Sequence, residues 1–291
     1  MDIKFNKVSH VYKGARKKED VYAIEEIDLD INAKDEFLAV VGQTGSGKTT
    51  LIQHINGLLL PTDGYIDVLG SRIISKKRKN PPLKTIRKKI GFVFQFPEYQ
   101  LFEETVAKDI LFATKIFNID KATAEKRLIE VAKLLGITEL LNKSPFNLSG
   151  GQMRKVALAG ILIYDPEILV LDEPTRGLDP VTAKETMDLF HYINKEQHKT
   201  IILISHDMNL VYEHASRIVV MKDGKKQYDG KKEELFKSDI YKDLSLTKPE
   251  VLTTVDALNE SLGYDLGYDN YSLDDLVKSL GGRTLWWKML Q

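Results

Sequence analysis

The run Gly42-Gln43-Thr44-Gly45-Ser46-Gly47-Lys48-Thr49-Thr50 carries the residue types that hold a nucleoside triphosphate. Its spacing, G-x-x-x-x-G-K-[ST], lets the backbone curl so that successive N–H groups point inward. The helix that follows adds partial positive charge at its N-terminus. Lys48 then sets a point charge on the β- and γ-phosphates, and the Thr49 hydroxyl is a Mg²⁺ ligand. A bare glycine turn at a strand–helix junction is the plain alternative. It is disfavoured because an apolar strand precedes the run and a helical pattern follows it.

Further residues suit the hydrolysis of such a ligand. Ile168–Pro174, ILVLDEP, is an apolar strand closed by two adjacent carboxylates. Side chains alternate along a strand, so Asp172 and Glu173 have different tasks. Asp172 fits a direct or outer-sphere contact with the metal. Glu173 fits a place beside the γ-phosphate, where it orients the attacking water or takes its proton. His206 follows another buried strand in IILISHD, where a neutral imidazole can hydrogen-bond the γ-phosphate and hold Glu173 and water in place. Gln95, at the end of the apparent strand IGFVFQ, has an amide able to touch metal or water. Each has a bland counterpart: a solvated acidic pair, a turn histidine, a solvated glutamine, and an Asp207 that only caps a helix.

Asn147–Lys155, NLSGGQMRK, is a second glycine-rich grip. Ser149 and Gln152 fit a capping box, so Gly150 and Gly151 open a helix with free N–H donors. This end suits an anion but brings neither a lysine nor a route to Mg²⁺. Either two domains fold over one nucleotide, or two subunits meet head to tail and each completes the other's site. The residues alone leave both open. Asp179-Pro180 reads as an ordinary N-cap with proline at the first helical position.

The elements needed to position these residues are legible. IKFNKVSHVY and AIEEIDLDI alternate as half-buried antiparallel strands, and FLAVV is a strand buried on both faces. A helix is expected from Lys48 to about Leu59, with strands in YIDVLG, IGFVFQ, EILVLDEP, TIILISHD and RIVVMKDG. Helical periodicity spans about Thr105–Leu141 and returns near Thr182–Glu196. The spacing thus predicts an α/β core interrupted by a helical block. From about Lys231 the chain becomes an acidic, Tyr- and Gly-dotted tail with the pattern of a small helical appendage.

Composition excludes several classes. The 291 residues are 43% hydrophobic and 29% charged, ordinary for a globular protein. No apolar run reaches membrane-spanning length, and MDIKFNKVSH is too polar for a signal peptide. Zero cysteines remove disulfides, thiolate metal sites and thiol catalysis. Forty-two basic residues balance forty-two acidic ones, giving no global field to draw nucleic acid. Ser71–Lys89 holds nine basic residues and no acid, but Pro81-Pro82 interrupt it and no aromatic is interleaved for stacking. A solvated loop flanking a strand is expected there. Trp286-Trp287 is expected to pack against the C-terminal appendage.

Taken in order, Gly42–Thr49, Gln95, Leu148–Gln152, Leu171–Pro174, Gly177–Asp179 and His206 resemble an ABC-transporter ATPase over about residues 1–230. The resemblance implies a P-loop NTPase core with an antiparallel β subdomain and an inserted helical subdomain, about residues 97–163. It implies ATP and Mg²⁺ as ligands, and a sandwich dimer. In that dimer Ser149, Gly150, Gly151 and Gln152 face the opposite subunit's ATP, Asp179 crosses the interface, and Tyr12 stacks on adenine. A soluble ATPase acting on DNA or ribosomes is less fitting, since each motif occurs once and the helical block is short.

FQFPEYQLFEETV, SGGQMRKVALAGIL, EPTRGLDP and the C-terminal extension are similar to the ATPases of energy-coupling factor transporters, especially the second of two paralogues. This implies a paralogous ATPase partner, a transmembrane T component docked on Phe96–Phe102, and an S component that captures a vitamin or metal ion. Residues 231–291 would hold the two ATPases together at the cytoplasmic side of the cell membrane. A conventional ABC importer with ordinary permeases is the alternative. The chain departs from the family in KGARKKEDVY, in Arg176 for a small residue, and in Val181-Thr182; these are expected to bear on partner fit, not hydrolysis.

Overall fold

The computed structural model describes residues 2–14, 20–269 and 272–281. Trp286-Trp287 and part of KGARKKEDVY lie outside the described residues. The first half of the chain runs β1 (Ile3–Tyr12), β2 (Val21–Ile31), β3 (Phe37–Val41), α1 (Lys48–Ile55), β4 (Asp63–Val68), β5 (Ser71–Ile74), α2 (Leu83–Lys89) and β6 (Ile90–Val93). Helices α3 (Val106–Ile116), α4 (Lys121–Leu134) and α5 (Gly150–Leu162) form the helical block. The α/β pattern resumes with β7 (Ile168–Asp172), α6 (Pro180–Glu196), β8 (Thr200–Ile204), α7 (Met208–His214), β9 (Arg217–Lys222) and β10 (Lys225–Lys231). Four short helices finish it: α8 (Lys232–Lys237), α9 (Ile240–Asp243), α10 (Glu250–Leu262) and α11 (Leu273–Gly281).

Two sheets result. One is antiparallel, in the order β2-β1-β4-β5; the other is six-stranded, β10-β9-β3-β8-β7-β6, parallel except for the β10 edge. The all-apolar runs β3 and β8 are buried at every position, as a strand covered on both faces requires. Their side chains alternate between two cores. Phe37, Ala39, Val41, Leu169, Leu171, Ile201 and Leu203 point to a core shared with the helical block and the C-terminal helices. Leu38, Val40, Ile168, Val170, Ile202 and Ile204 point to the core shared with the antiparallel sheet and α1. Leu235, Phe236, Val251, Leu252 and Leu276 join the first of these, so the C-terminal helices pack on the sheet's own core.

Ligands of parallel sheets bind off the carboxyl ends of the strands. Here β3, β8, β7 and β6 are consecutive in the sheet, and the segments leaving them carry Lys48, His206, Glu173 and Gln95. One edge of one sheet therefore gathers residues that are 158 positions apart between Lys48 and His206.

The structure departs from the expected elements at several points. Helix α1 stops at Ile55, short of Leu59, because Gly57 turns left-handed (φ 64°) and the Asn56 side chain accepts from Leu58 N. Strand β6 stops at Val93, leaving Gln95 in the connecting segment. The basic stretch 71–89 is more than a solvated loop. It supplies β5, which pairs with β4, and α2, whose Arg87 donates to the carbonyls of Asn56 and Gly57. Strand β10 was not distinguishable in the sequence from the polar tail that follows it.

Candidate functional site

The loop between β3 and α1 needs its glycines. Gly42 sits at φ 139°, and a Cβ there would lie 2.1 Å from the Met221 carbonyl oxygen. Gly47, at φ 97°, would place one 2.3 Å from Ala23 O. No L side chain fits either position. Lys48 folds back over the loop and donates from Nζ to Gly42 O at 2.7 Å and Gln43 O at 2.8 Å. Burial lowers its pKa, against the opposing pull of Glu173 and then Asp172. Gln43, Thr44, Gly45 and Thr49 are exposed, whereas Thr50 is buried behind them. The Ser46 hydroxyl is buried without a hydrogen-bond partner among the described residues. Such an orphaned donor at the centre of a curled, cation-capped loop fits a missing anion.

The two carboxylates separate as their tasks require. Asp172 ends β7, half-buried, its pKa raised first by burial and then by the Glu173 charge, with Lys48 opposing. Glu173 has left the strand in a left-handed conformation, φ 51°, anchored by its N–H to Ile204 O at 3.0 Å. A glutamate there is strained, of order 1–3 kcal/mol, and the surrounding sheet must hold it. The turn points its carboxylate at His206, whose Nδ1 lies 2.8 Å from Oε1. The glutamate is 14% exposed and the histidine 71%, so the pair reaches from a protected base to the open cavity. Asp207 caps α7.

Lys48, Glu173 and His206 line one cavity of about 630 Å³, together with Gly42, Gln43, Thr44, Arg176 and Gly177. Ser245, Leu246 and Thr247, from the C-terminal segment, border it as well. Among the described residues no group of three His, Asp or Glu could hold a metal alone. The oxygen donors at hand, Thr49, Asp172 and the Gln95 amide, suit a hard cation completed by phosphate oxygens.

Gln95 is engaged elsewhere. A guanidinium offers only donors, so the amide oxygen must face Arg176. With the amide turned that way, its oxygen accepts from Arg176 Nε at 2.9 Å and Nη1 at 2.5 Å. The expectation that Arg176 bears only on partner fit therefore fails. It faces one predicted site residue and lines the cavity of Lys48, Glu173 and His206. Tyr12 ends β1, half-exposed, with its hydroxyl 3.4 Å from Thr50 Oγ1 and its ring edge-on to His10. His10 Nδ1 lies 3.1 Å from Nε2 of the fully buried His54, whose Nδ1 meets Thr50 O.

The second grip is built but stands apart. Ser149 accepts from Gln152 N and donates its own N–H to Gln152 Oε1, closing the capping box. Around Gly150 and Gly151 a side chain would meet open space. Neither Ser149, Gly150, Gly151, Gln152 nor Asp179 lines the Lys48 cavity. Asp179 caps α6 through Val181 N and Thr182 N, and the Thr182 hydrogen bonds keep its carboxyl below the usual range.

Long-range partners escaped the sequence. Arg154, four residues beyond the second grip's first glycine, grasps Glu98 and the carbonyls of Pro174 and Arg176. Only its place on the buried side of α5, with Val156, Ala157 and Leu158, marks it.

Residues 24–176 match the family model described as ABC transporter. The energy-coupling factor transporter ATP-binding protein EcfA2 of Bacillus thuringiensis is 44% identical over 282 residues, 95% of this chain and 94% of its own length. That of Geobacillus kaustophilus is 45% identical over 265 residues, 90% of each. Among solved structures, cbiO1 from Clostridium perfringens, part of the ABC transporter complex cbiONQ, superposes with a TM-score of 0.71 at 32% identity. It covers 87% of this chain and 98% of that one. The ATP-binding cassette MJ0796, a post-hydrolysis dimer bound to ADP and Pi, gives 0.68 at 30% identity, over 79% of this chain and 98% of that one. The fold is that of an ABC ATPase. With the phosphate loop, the Glu173–His206 pair and the detached Ser149 cap all in place, the chain belongs to the ABC transporter ATPase family and, within it, to the energy-coupling factor ATP-binding proteins.

Proposed function

We propose that this ATPase subunit of an energy-coupling factor importer works as one half of a head-to-tail pair. One observation carries the reading: Lys48, Glu173 and His206 share a cavity that Ser149 and its glycines do not line. A partner's Ser149 end, presented across the interface, supplies the missing donors, and Asp179 crosses with it. Tyr12 stacks on the adenine, and the N–H groups of residues 42–50 hold the phosphates with Lys48.

Mg²⁺ belongs with the nucleotide, held by Thr49 with Asp172 and Gln95, and when bound it neutralises charge on the phosphate oxygens. Glu173 orients a water against the γ-phosphorus and takes its proton as the bond to ADP breaks. His206, hydrogen-bonded to Glu173, holds that carboxylate in place.

The pair's second member is a paralogous ATPase. Half-exposed Ile240, Leu262, Leu273 and Val277 support a contact role for the C-terminal helices. Phe96, Tyr99 and Phe102, all exposed beside Gln95, suit the docking of a T component, which works with an S component that captures a vitamin or metal ion. Among the described residues no helix is long and apolar enough to cross a membrane. Attachment is peripheral, at the cytoplasmic face, and comes through the partner.

Turnover per chain measured against chain concentration tests the pair. The rate is expected to climb with association and to vanish on dilution. Undiminished turnover by isolated monomers would end the proposal. Copurification from membranes in mild detergent separates an energy-coupling factor complex from a conventional permease pair.

A further inference from the structure

We infer that Arg176 is a latch on Gln95: it occupies the amide oxygen that a magnesium-bound nucleotide must claim. The inference rests on the reading of Gln95 as a metal contact. Only the oxygen of a glutamine amide can ligate a hard cation. With the amide turned to suit a donor-only guanidinium, that oxygen accepts from both Nε and Nη1 of Arg176.

The latch joins two segments that are already tied. Arg154 Nη1 holds the Arg176 carbonyl at 3.2 Å and Pro174 O at 3.4 Å, while its other prongs grip Glu98, three residues past Gln95. Arg176 is thereby aimed at Gln95 by a fixed base, and releasing the side chain leaves that base intact. The guanidinium forms no ion pair among the described residues. It lines the cavity of Lys48 and Glu173, so a metal arriving with the nucleotide there meets an amide oxygen already taken. Binding of the magnesium-loaded nucleotide thus frees Gln95 and, with it, the start of the segment that bears Phe96, Tyr99 and Phe102.

Calorimetric titration with adenylyl imidodiphosphate, a non-hydrolysable ATP analogue, tests this in full-length chains. The readout is the ratio of affinity with Mg²⁺ to affinity in EDTA. Only the Mg²⁺ arm needs the Gln95 oxygen, so the latch acts on that arm alone. Arg176→Ala should raise the ratio about fivefold, the worth of roughly one net hydrogen bond. Arg176→Lys, which keeps the charge but loses the fork, should do the same. Both effects should vanish in a Gln95→Ala background. An unchanged ratio in Arg176→Ala, a wild-type ratio in Arg176→Lys, or a rise that persists without Gln95 overturns the latch. In the latch-free Arg176→Ala protein, adding Gln95→Ala should lower the ratio. If it does not, the assignment of Gln95 as a metal contact falls and the latch with it, whereas ATP hydrolysis by the paired subunits stands.

Discussion

Arg154 and Glu98 form a two-pronged ion pair, Nε to Oε2 and Nη2 to Oε1, each at 3.1 Å. At 11% and 14% exposure the two side chains are nearly out of water. The arginine's third nitrogen reaches the loop after Glu173, so one side chain on α5 ties the second grip's helix, the segment after Gln95 and the catalytic loop together. Removing one partner strands the other's charge. Arg154→Ala is therefore expected to cost about 3 kcal/mol, read as a lowered urea midpoint, and Arg154→Lys should recover little because it lacks the fork. A midpoint within error of wild type would refute the tie.

Glu173→Gln keeps the shape of the side chain and removes its basicity. Hydrolysis should fall by at least about 10²-fold, with nucleotide still bound and paired chains accumulating. Single-turnover assays on the assembled pair measure this. A rate near wild type would reassign the base.

His54 is fully buried, and burial, opposed by its bond to Thr50 O, lowers its pKa to about 4. In the unfolded chain it titrates near 6.5. The unfolded state therefore binds the extra proton first as pH falls. The stabilisation is complete above about pH 6.5 and is lost progressively down to about pH 4. Between pH 7 and pH 5 this single group should remove about 2 kcal/mol. The groups acting on it, the Thr50 and Leu60 carbonyls and His10, bring no carboxylate to hold the imidazolium. Urea midpoints compared between wild type and His54→Leu over that range isolate the effect. Parallel pH profiles would show that His54 does not titrate there. His214, lowered by burial to about 4, adds a like contribution common to both proteins.

Tyr99 is 83% exposed and Phe102 56%, the latter edge-on to Phe112 at 4.8 Å. Buried aromatic anchors of an interface typically contribute 2 kcal/mol or more. Tyr99→Ala with Phe102→Ala should lose the T component from detergent pull-downs while the chain's own thermal midpoint stays within a few degrees. Retention of the T component would move the docking site elsewhere.

The parts of the site that live in short stretches could be read directly. The spacing of Gly42, Gly47 and Lys48, the S-x-x-Q box at Ser149 and the apolar runs of β3, β7 and β8 all encode their own geometry. What could not be read depends on partners far apart in the chain. Arg154 and Glu98 are separated by 56 positions, and His10 and His54 by 44. Nothing in strand alternation marks that Glu173 leaves β7 left-handed; it takes the neighbouring β8, through Ile204 O, to hold it so. In the sequence Arg176 is only a departure from a family pattern; its place against the Gln95 amide comes from the fold. Strand β5 was masked by its charge, because an edge strand can carry a basic residue such as Arg72 against Asp67 of its neighbour.

The order β3-β8-β7-β6 puts Gln95 behind the outermost strand of the row. β3, β8 and β7 each have a hydrogen-bonded neighbour on both flanks, whereas among the described residues β6 is stitched only to β7. A shift at the phosphate loop would have to tear two seams to move the sheet, but only one to move its hem. The border held by one seam is also where Phe96, Tyr99 and Phe102 lie exposed, whereas the strands leading to Lys48, Glu173 and His206 are fastened on both sides.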